Sequence, residues 1–392
     1  MAKFNPRKTR MLTVINAVLK PFFSLSGRAP KIAKVDRGPV NNIAIIAAMM
    51  IGDTIMLIPS LRVLRNNFPS THTTIIGEAR VKTILEDQKL VDHFIIIKTP
   101  WLNKGSFIGS FFRAISIIRK DKLVYDWVID FRGDWRNIFL MSFVKSRRKI
   151  SFDFSGGEYM LTDIVPSPGL TRHYIDEWLY LLTSLGCEIK DDDRYPQLVI
   201  NDNNFKLLSD FKKKNNLGQK FIVGVHPGAS KKSRMWSEEN YANLLLRISQ
   251  TYANLAIVLF EGPNESNSVT RILDILKPAN IDPVVVNVGL KEYIVLMKSV
   301  NMLICNDSGA GHVAGAYNIP SVVLFGKSDP ATVRPYNKSI SKIISKRQSA
   351  GGKGKISIDD EAYFRAISVD EVFDAAAEIL NDNLKVINGV AN

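Results

Sequence analysis

The sequence has little of what stabilises small secreted domains or metal-bound ones. Its 392 residues include only two cysteines, Cys187 and Cys305, and five histidines. The two cysteines are far apart and show no metal-ligand spacing, so neither a disulfide framework nor a zinc site is indicated. A reducing compartment, the cytoplasm, is therefore the expected location.

Several nucleotide-binding and hydrolase signatures are also missing. No Gly-x-Gly-x-x-Gly run follows the first predicted strand, which argues against a dinucleotide oxidoreductase. Gly326-Lys327-Ser328 resembles the end of a P-loop, but Ser321 stands where the first glycine is required. No serine-hydrolase elbow is present either.

Long hydrophobic runs are absent, and the N-terminal segment is basic instead. No run approaches the ~20 apolar residues that span a bilayer. Residues 1–42 carry nine basic side chains against the single acid Asp36. This composition predicts an amphipathic arm in peripheral contact with an anionic inner membrane, while a cleaved signal around Met11–Leu19 and a disordered tail remain alternatives.

The overall composition is that of a folded protein with anionic partners. Apolar residues make up 46% and charged residues 23%, as in packed globular domains. Fifty-two Lys and Arg against 38 Asp and Glu give a formal charge of +14, which favours phosphorylated or otherwise anionic partners. The length suggests two domains.

Short apolar runs alternate with helical patterns from residue 43 onward, which predicts strand–helix–strand units and parallel sheets. The predicted strands are Ile43–Ala48, Thr73–Gly77, His93–Ile97 and Tyr125–Asp130 in the first half, and Phe221–Val225, Leu255–Phe260, Val284–Val288, Met302–Asn306 and Ser321–Phe325 in the second. The predicted helices between them are Asp53–Phe68, Arg80–Glu86, Ser106–Arg119, Glu238–Gln250, Ser266–Lys277 and Lys291–Ser299. Two Rossmann-like α/β domains are therefore expected, at residues 43–200 and 201–366. The segment from Asp191 to Gly218, which spans their boundary, is polar and turn-rich and resembles a linker.

The C-terminal part carries two further signals. Residues 346–355 are rich in glycine and lysine and predict a mobile loop. Ser368 and Glu371 form a capping-box pattern that predicts a final helix, Val369–Asn381, within a C-terminal segment 367–392.

Ligands of open α/β sheets bind beyond the carboxyl ends of the strands, so the loops at those ends are the candidate sites. The first such loop is Gly52-Asp53, directly after the first predicted strand. Gly52 permits close backbone approach. Asp53, at a helix N-terminus, could accept a proton or simply cap the helix, and its position alone leaves both roles open.

The second loop, residues 226–236, follows the first strand of the second half. It offers hydroxyls and cations, among them Ser230, Lys231 and Arg234. Such groups suit a diphosphate because donors converge and arginine supplies a bidentate fork. The alternative is a solvated basic loop that Trp236 anchors to the core.

The third loop opens a helix after the fourth strand of the second half. Unpaired backbone amides at a helix start, together with Ser308, would hold an anionic phosphate without a metal. His312 would face the same ligand, although a lone histidine is often structural, and Gly311 could serve tight helix packing. The candidate residues of this loop are Asp307, Ser308, Gly309, Ala310, Gly311 and His312.

Taken together, the three loops resemble the heptosyltransferase family, glycosyltransferase family 9, over about residues 42–380. The resemblance rests on Gly52-Asp53, on His226-Pro227-Gly228-Ala229 with Trp236, and on Asn306-Asp307-Ser308-Gly309 with Gly311-His312. It implies the GT-B fold, in which two Rossmann-like domains with parallel sheets face each other across a cleft. It also implies that the last helix crosses back to the first domain.

The resemblance further implies an inverting, metal-independent transfer of heptose from ADP-heptose to the lipopolysaccharide inner core, with no cofactor. Asp53 matches the family's proposed general base, and Asp307 is expected near the donor sugar. Gly52, Arg132 and Arg136 are the acceptor-side candidates, and the two arginines could face lipid-linked phosphates or form surface ion pairs.

The leaving diphosphate would be met by Ser308, by the amides of residues 309 and 310, and by cations of the second loop. One departure from the family pattern is Arg234, which stands where many members have lysine. Because arginine and lysine differ in shape and hydration, this departure could alter donor preference.

Two other functions are kept as alternatives. One is a GT-B transferase that uses another nucleotide sugar for capsule or glycan synthesis. The other is a non-catalytic polyanion-binding protein, which predicts strongly salt-dependent binding. Nucleic acid is not an expected partner, because no RNA-binding aromatic signature accompanies the basic residues.

Overall fold

The computed structural model describes residues 30–35, 38–102, 107–154, 156–168, 172–263, 265–338, 341–346 and 360–387. The chain divides into two compact units, Met1–Arg194 and Tyr195–Asn392. Each unit contains one sheet whose paired strands are parallel. The predicted α/β class with two parallel sheets is therefore confirmed.

The first unit is built on a seven-stranded sheet of order β1-β7-β6-β5-β2-β3-β4. Its strands are β1 (Lys31–Ile32), β2 (Asn42–Ala47), β3 (His72–Gly77), β4 (His93–Ile96), β5 (Tyr125–Asp130), β6 (Ser146–Phe152) and β7 (Asp163–Val165). Its helices are α1 (Ile51–Asn67), α2 (Ala79–Leu85), α3 (Phe107–Lys120), α4 (Trp135–Met141) and α5 (Tyr174–Ser184). The central strands β2 and β5 are almost wholly buried, as expected where both faces of a parallel sheet are covered.

The second unit is built on a six-stranded sheet of order β10-β9-β8-β11-β12-β13. Its strands are β8 (Phe221–His226), β9 (Leu255–Phe260), β10 (Val284–Val286), β11 (Met302–Asn306), β12 (Ser321–Phe325) and β13 (Ser341–Ser345). Its helices are α6 (Asp202–Lys214), α7 (Glu238–Thr251), α8 (Ser266–Leu276), α9 (Leu290–Met297), α10 (Gly309–Ala316), α11 (Pro330–Val333), α12 (Asp360–Arg365) and α13 (Val369–Ile387). Trp236 and Tyr241 are among the largest side chains of its core.

The predicted strands and helices all occur, within a few residues at their ends, but several elements were not predicted. β1 and β7 are only two and three residues long, too short to show a pattern. β6 begins with Ser-Arg-Arg-Lys, and its first four residues are not buried, so it lacks an apolar run. Helix α6 lies inside the segment that looked like a turn-rich linker, and the side chain of Asn201 caps it.

The predicted capping box of the last helix is confirmed. The amide of Glu371 donates to the Ser368 hydroxyl at 3.2 Å, and the amide of Ser368 donates to the Glu371 carboxylate at 3.0 Å. The helix α13 continues to Ile387 and packs on α7, β12 and β13 of the same unit. Its crossing back to the first domain stays a prediction.

Two predicted segments lie mostly outside the described residues, namely the N-terminal arm and the loop at residues 346–355. No helix in the described ranges combines the length and apolar character needed to cross a bilayer.

Candidate active site

The carboxyl ends of two neighbouring strands bring Asp53 and Arg132 together. β2 and β5 pair in parallel, so the segments that follow them leave the sheet at the same edge. Asp53 lies in the first turn of α1, and a guanidinium nitrogen of Arg132 lies 2.5 Å from its Oδ2 atom. The side chain of Asp53 is 16% exposed and that of Arg132 is 30% exposed, so a solvent-borne ligand can reach the pair.

Asp53 also caps its helix, which is one of the two roles that its sequence position left open. The amide of Met50 donates to Oδ2 of Asp53 at 3.3 Å. Both contacts fall on Oδ2, and Oδ1 makes no hydrogen bond among the described residues. Capping and proton acceptance are therefore compatible, because they use different oxygens of the same carboxylate.

Charge and burial shift the pKa values of Arg132 and of its neighbour Tyr174. The Asp53 carboxylate raises the pKa of Arg132 above its usual range, against burial that lowers it. Burial also raises the pKa of the nearby Tyr174 hydroxyl, which therefore stays protonated. No sequence signal pointed to Tyr174, which belongs to α5.

A buried carboxylate behind the site shapes the turn that carries Arg132. Asp130 is fully buried and accepts from the Asn137 side chain at 2.8 Å and from the amide of Asp134 at 3.3 Å. Burial raises the pKa of Asp130 to about 6. At Gly133 the backbone has φ +59°, and a Cβ there would lie 2.6 Å from a phenylalanine ring. The turn therefore requires glycine between Arg132 and Asp134.

Arg136 forms the ion pair that was the alternative to a phosphate contact. Its Nε atom donates to Asp134 at 2.9 Å, and its guanidinium carbon lies 5.1 Å from the centre of the Trp101 ring. Burial raises the pKa of the Asp134 carboxyl, but the hydrogen bonds and charge of Arg136 outweigh it and hold that pKa below its usual range. The role of Arg136 toward an acceptor phosphate stays a prediction.

In the second unit, Asn306 ties two candidate loops together. β8 and β11 pair in parallel, and Asn306, the last residue of β11, is fully buried. Its amide group donates to the carbonyl of Pro227 at 2.6 Å, and its side-chain oxygen accepts from the amide of Trp236 at 3.1 Å. The loop at residues 226–236 is thus clamped at both ends by one side chain.

The middle of this loop presents its cations outward. Ser230 and Lys231 are exposed, and Arg234 is half-buried at the end of a 3-10 helix, Lys232–Arg234. Trp236 is buried, and its indole nitrogen donates to the carbonyl of Ile367 at 2.9 Å. Trp236 therefore anchors the loop to the core, as the alternative of a solvated basic loop supposed, while the ligand-binding role of the cations stays a prediction.

Ser308 is placed as a ligand-binding hydroxyl would be. It is the N-cap residue of α10, but its side chain makes no capping hydrogen bond. Its Oγ atom is buried and has no hydrogen-bond partner among the described residues. A buried hydroxyl without a partner costs free energy, and the first amides of the helix, from Gly309 and Ala310 onward, also lack partners within the helix. This arrangement suits an anionic ligand.

The neighbouring residues of α10 are more closely tied to packing. A Cβ at Gly311 would lie 3.1 Å from Pro335. Its contacts therefore fit the alternative role of this glycine, which is tight helix packing. The amide of Asp307 donates to the carbonyl of Leu324 at 2.8 Å. His312 is buried, with 8% of its surface exposed. Direct ligand contacts of these three residues stay predictions.

A cluster behind the second loop was not predicted. A Cβ at Gly228 would lie 1.9 Å from the Glu265 carboxyl group, so this glycine makes room for that carboxylate. Burial raises the pKa of Glu265 and lowers the pKa of His226 to about 4. The His226 ring centre lies 5.7 Å from that of Tyr293. Glu265 lies in the segment that follows β9, so a search of the loops at the carboxyl ends of the strands could have found it.

No three His, Cys, Asp or Glu side chains within the described ranges are grouped to hold a metal ion.

Solved structures with the same arrangement of strands and helices identify the fold. A glycosyl transferase family 9 protein from Veillonella parvula superimposes with a TM-score of 0.71 at 22% identity, covering 87% of this chain and 97% of its own. The ADP-heptose lipopolysaccharide heptosyltransferase II of E. coli superimposes with a TM-score of 0.69 at 19% identity, covering 87% and 99%. The fold is therefore GT-B, the fold of a large class of glycosyltransferases.

The sequence places the protein within that class. The sequence model of glycosyltransferase family 9 (heptosyltransferase) matches residues 116–360, which is more than half of the chain. The protein belongs to this family and is a glycosyltransferase. A curated relative, lipopolysaccharide heptosyltransferase 3 of Escherichia coli, is 23% identical over 300 residues, covering 74% of this chain and 84% of the relative.

Proposed function

We propose that the protein transfers a heptose from ADP-heptose to the inner core of bacterial lipopolysaccharide, at the cytoplasmic side of the inner membrane. The class of reaction follows from membership of glycosyltransferase family 9. The sugar and acceptor are supported by the relatives, several of which are lipopolysaccharide or lipooligosaccharide heptosyltransferases. The observation that carries the chemistry is the Asp53 carboxylate, accessible beside Arg132 with Oδ1 unpaired among the described residues.

In the proposed reaction, Oδ1 of Asp53 takes the proton from an acceptor hydroxyl as that oxygen attacks the anomeric carbon of the donor. The bond from this carbon to the diphosphate breaks in line, and ADP departs with the electron pair, so the configuration inverts. Arg132 holds the Asp53 carboxylate in place through Oδ2 and offers a cation to an anionic group of the acceptor.

The second unit would hold the donor and stabilise the leaving diphosphate. The Ser308 hydroxyl and the amides of Gly309 and Ala310 would donate to it, and Lys231 and Arg234 would balance its charge. These donors would supply the stabilisation that a divalent metal provides in other transferases, so we propose a metal-independent reaction. Asp307 and His312 would contact the sugar and nucleotide.

The experiment that tests the proposal offers the purified protein ADP-heptose and, separately, UDP-, GDP- and CMP-linked sugars, with truncated lipopolysaccharide cores as acceptors. We expect a heptose-sized gain in acceptor mass with the ADP donor alone, unchanged by EDTA, with the anomeric configuration inverted in the product NMR spectrum.

Turnover with another donor alone would assign the protein to capsule or glycan synthesis with the same mechanism. Absence of turnover with every donor would favour the non-catalytic polyanion-binding function. A retained anomeric configuration would rule out direct displacement at the anomeric carbon with Asp53 as the base.

A further inference from the structure

The outer face of α3 has an arrangement of side chains that the proposed chemistry does not use. Ile108 and Phe112 are 67% and 65% exposed, respectively. They lie four residues apart and therefore on one face of the helix. Side chains on neighbouring turns form a contiguous apolar patch, and contiguous patches rather than scattered single side chains mark interaction surfaces.

Cations flank these two apolar side chains. Arg113, Arg119 and Lys120 are exposed, and α3 contains no acidic residue. Arg119 lies seven residues after Phe112 and on the same row of the helix. Arg113 and Lys120, also seven residues apart, form a second row beside it. The buried side of the helix is formed by Ala114, Ile115 and Ile118.

We propose that this face of α3, defined by Ile108, Phe112, Arg113, Arg119 and Lys120, docks on an anionic phospholipid bilayer. Two apolar side chains on one face, flanked by cations without an acid, match an interfacial surface: the apolar groups enter the boundary of the acyl chains while the cations meet lipid phosphates. A protein partner would need a larger continuous apolar area than two side chains provide.

The position of α3 links this surface to the acceptor side of the candidate active site. The helix follows β4, whose carboxyl end lies at the same edge of the parallel sheet as the ends of β2 and β5, which precede Asp53 and Arg132. Phe111 of α3 stacks on Phe139 of α4 with ring centres 5.4 Å apart. Arg136 lies in the first turn of α4, so the docking face and the acceptor-side arginine are held by one packed pair of helices.

Docking through this surface would serve to bring the enzyme to its acceptor, an inference that rests on the proposed function. A lipopolysaccharide core is carried by a lipid, so its sugars stand at the membrane surface. Docking through α3 would bring the acceptor-side edge of the first unit to the height of those sugars. It would raise the effective concentration of acceptor without a new contact to the sugar itself.

The test is binding of the full chain to phosphatidylglycerol vesicles and to phosphatidylcholine vesicles, measured by co-sedimentation without any donor sugar. We expect binding to the anionic vesicles alone, weakened by added salt. Phe112→Ser and Ile108→Ser should each weaken it roughly tenfold. Arg113→Gln and Lys120→Gln should each weaken it about fivefold.

Phe205→Ser is the matched control. Phe205 is 52% exposed on α6 of the second unit, beside lysines of that helix. It should bind vesicles as the unchanged protein does. Unaltered binding of both Phe112→Ser and Ile108→Ser, an equal loss in Phe205→Ser, or absence of binding to anionic vesicles would each overturn the proposal. Because Ile108 and Phe112 are exposed, thermal unfolding of their variants should match that of the unchanged protein.

Activity measurements separate this proposal from the proposed function. Phe112→Ser should turn over a water-soluble truncated acceptor at the normal rate and a vesicle-embedded acceptor at a reduced rate. Vesicle binding through α3 without heptose transfer would contradict the proposed function alone. Heptose transfer without binding to anionic vesicles would contradict the docking surface alone.

Discussion

At the scale of single residues, the two oxygens of Asp53 divide the work of one side chain. Oδ2 accepts from the Met50 amide and from Arg132, so it fixes the carboxylate at the start of α1. Oδ1 faces no described donor and can receive a proton. A helix cap needs one carboxylate oxygen and a general base needs the other, so the geometry allows both roles.

The variant Asp53→Asn tests this division of roles. Asparagine keeps an oxygen for the Met50 amide but cannot take a proton at neutral pH, so we expect the helix to persist and kcat to fall by ~10²- to 10⁴-fold. Donor affinity, measured by calorimetry with an unreactive ADP-sugar analogue, should change little. Asp53→Ala should lose the cap as well and add about 1 kcal/mol of destabilisation. Near-normal turnover of Asp53→Asn would assign the base elsewhere.

At the scale of elements, the donor-side loops depend on a side chain that lies beneath them. Asn306 is fully buried and bonds the loop that follows β8 at both its ends. The cations at residues 231–234 and the Ser308 hydroxyl therefore extend from a framework set by β8 and β11. Such fixed donors stabilise a leaving group without having to reorganise during the reaction.

The variant Asn306→Ala should loosen that framework. It leaves the buried Trp236 amide without its acceptor, which costs about 1–3 kcal/mol of unfolding free energy. We expect the KM for the donor to rise several-fold, because the loop samples more conformations, and the KM for the acceptor to stay near normal. Steady-state kinetics and urea unfolding measure the two effects.

Asn301→Ala is the matched control for that experiment. Asn301 also bridges β8 and β11, because its side-chain oxygen accepts from the amide of Ile222 at 2.8 Å. It lies at the opposite end of these strands, away from the candidate loops. It should cost stability without raising the KM for the donor, and an equal rise in both variants would contradict the proposed role of Asn306.

At the scale of the whole molecule, two units with separate cores contain buried ionisable groups of opposite kind. Burial raises the pKa of Asp130 in the first unit to about 6 and lowers the pKa of His226 in the second to about 4. Their contributions to stability change in opposite directions over the same pH range. Acidification should therefore affect the two units unequally.

The contribution of His226 is the one that a single substitution isolates. Its pKa is 6.5 in the unfolded chain and about 4 in the folded one. Between these values the unfolded chain binds a proton that the folded protein does not, so the free energy of unfolding falls as the pH drops through this range. The loss amounts to about 3 kcal/mol at the lower end.

The variant His226→Gln should lack this dependence. Between about pH 7 and pH 4, the unchanged protein should lose about 3 kcal/mol more unfolding free energy than the variant does. Hydrogen exchange should localise the difference to peptides of β8 and its neighbours in the second unit. Parallel pH profiles for the two proteins would show that His226 is not held neutral by burial.

Most of the fold could be predicted because parallel strands buried on both faces read as short apolar runs. β2 and β11 are of this kind. The prediction failed where an element lacks that pattern. Three of the first four residues of β6 are cations, and α6 has a polar sequence in a segment that resembled a linker. Those elements form because neighbouring strands and helices pack against them, which local sequence does not encode.

The sequence by itself determined the order of strands and helices, the glycines and aspartates that follow the strands, and the family. Only the tertiary structure decided which of these residues meet. Arg132 is 79 positions from Asp53, and Asn306 is 79 positions from Pro227. Each pair is joined by the pairing of non-consecutive strands, β2 with β5 and β8 with β11. That pairing depends on the burial of whole sheets, so no local pattern of residues could have revealed it.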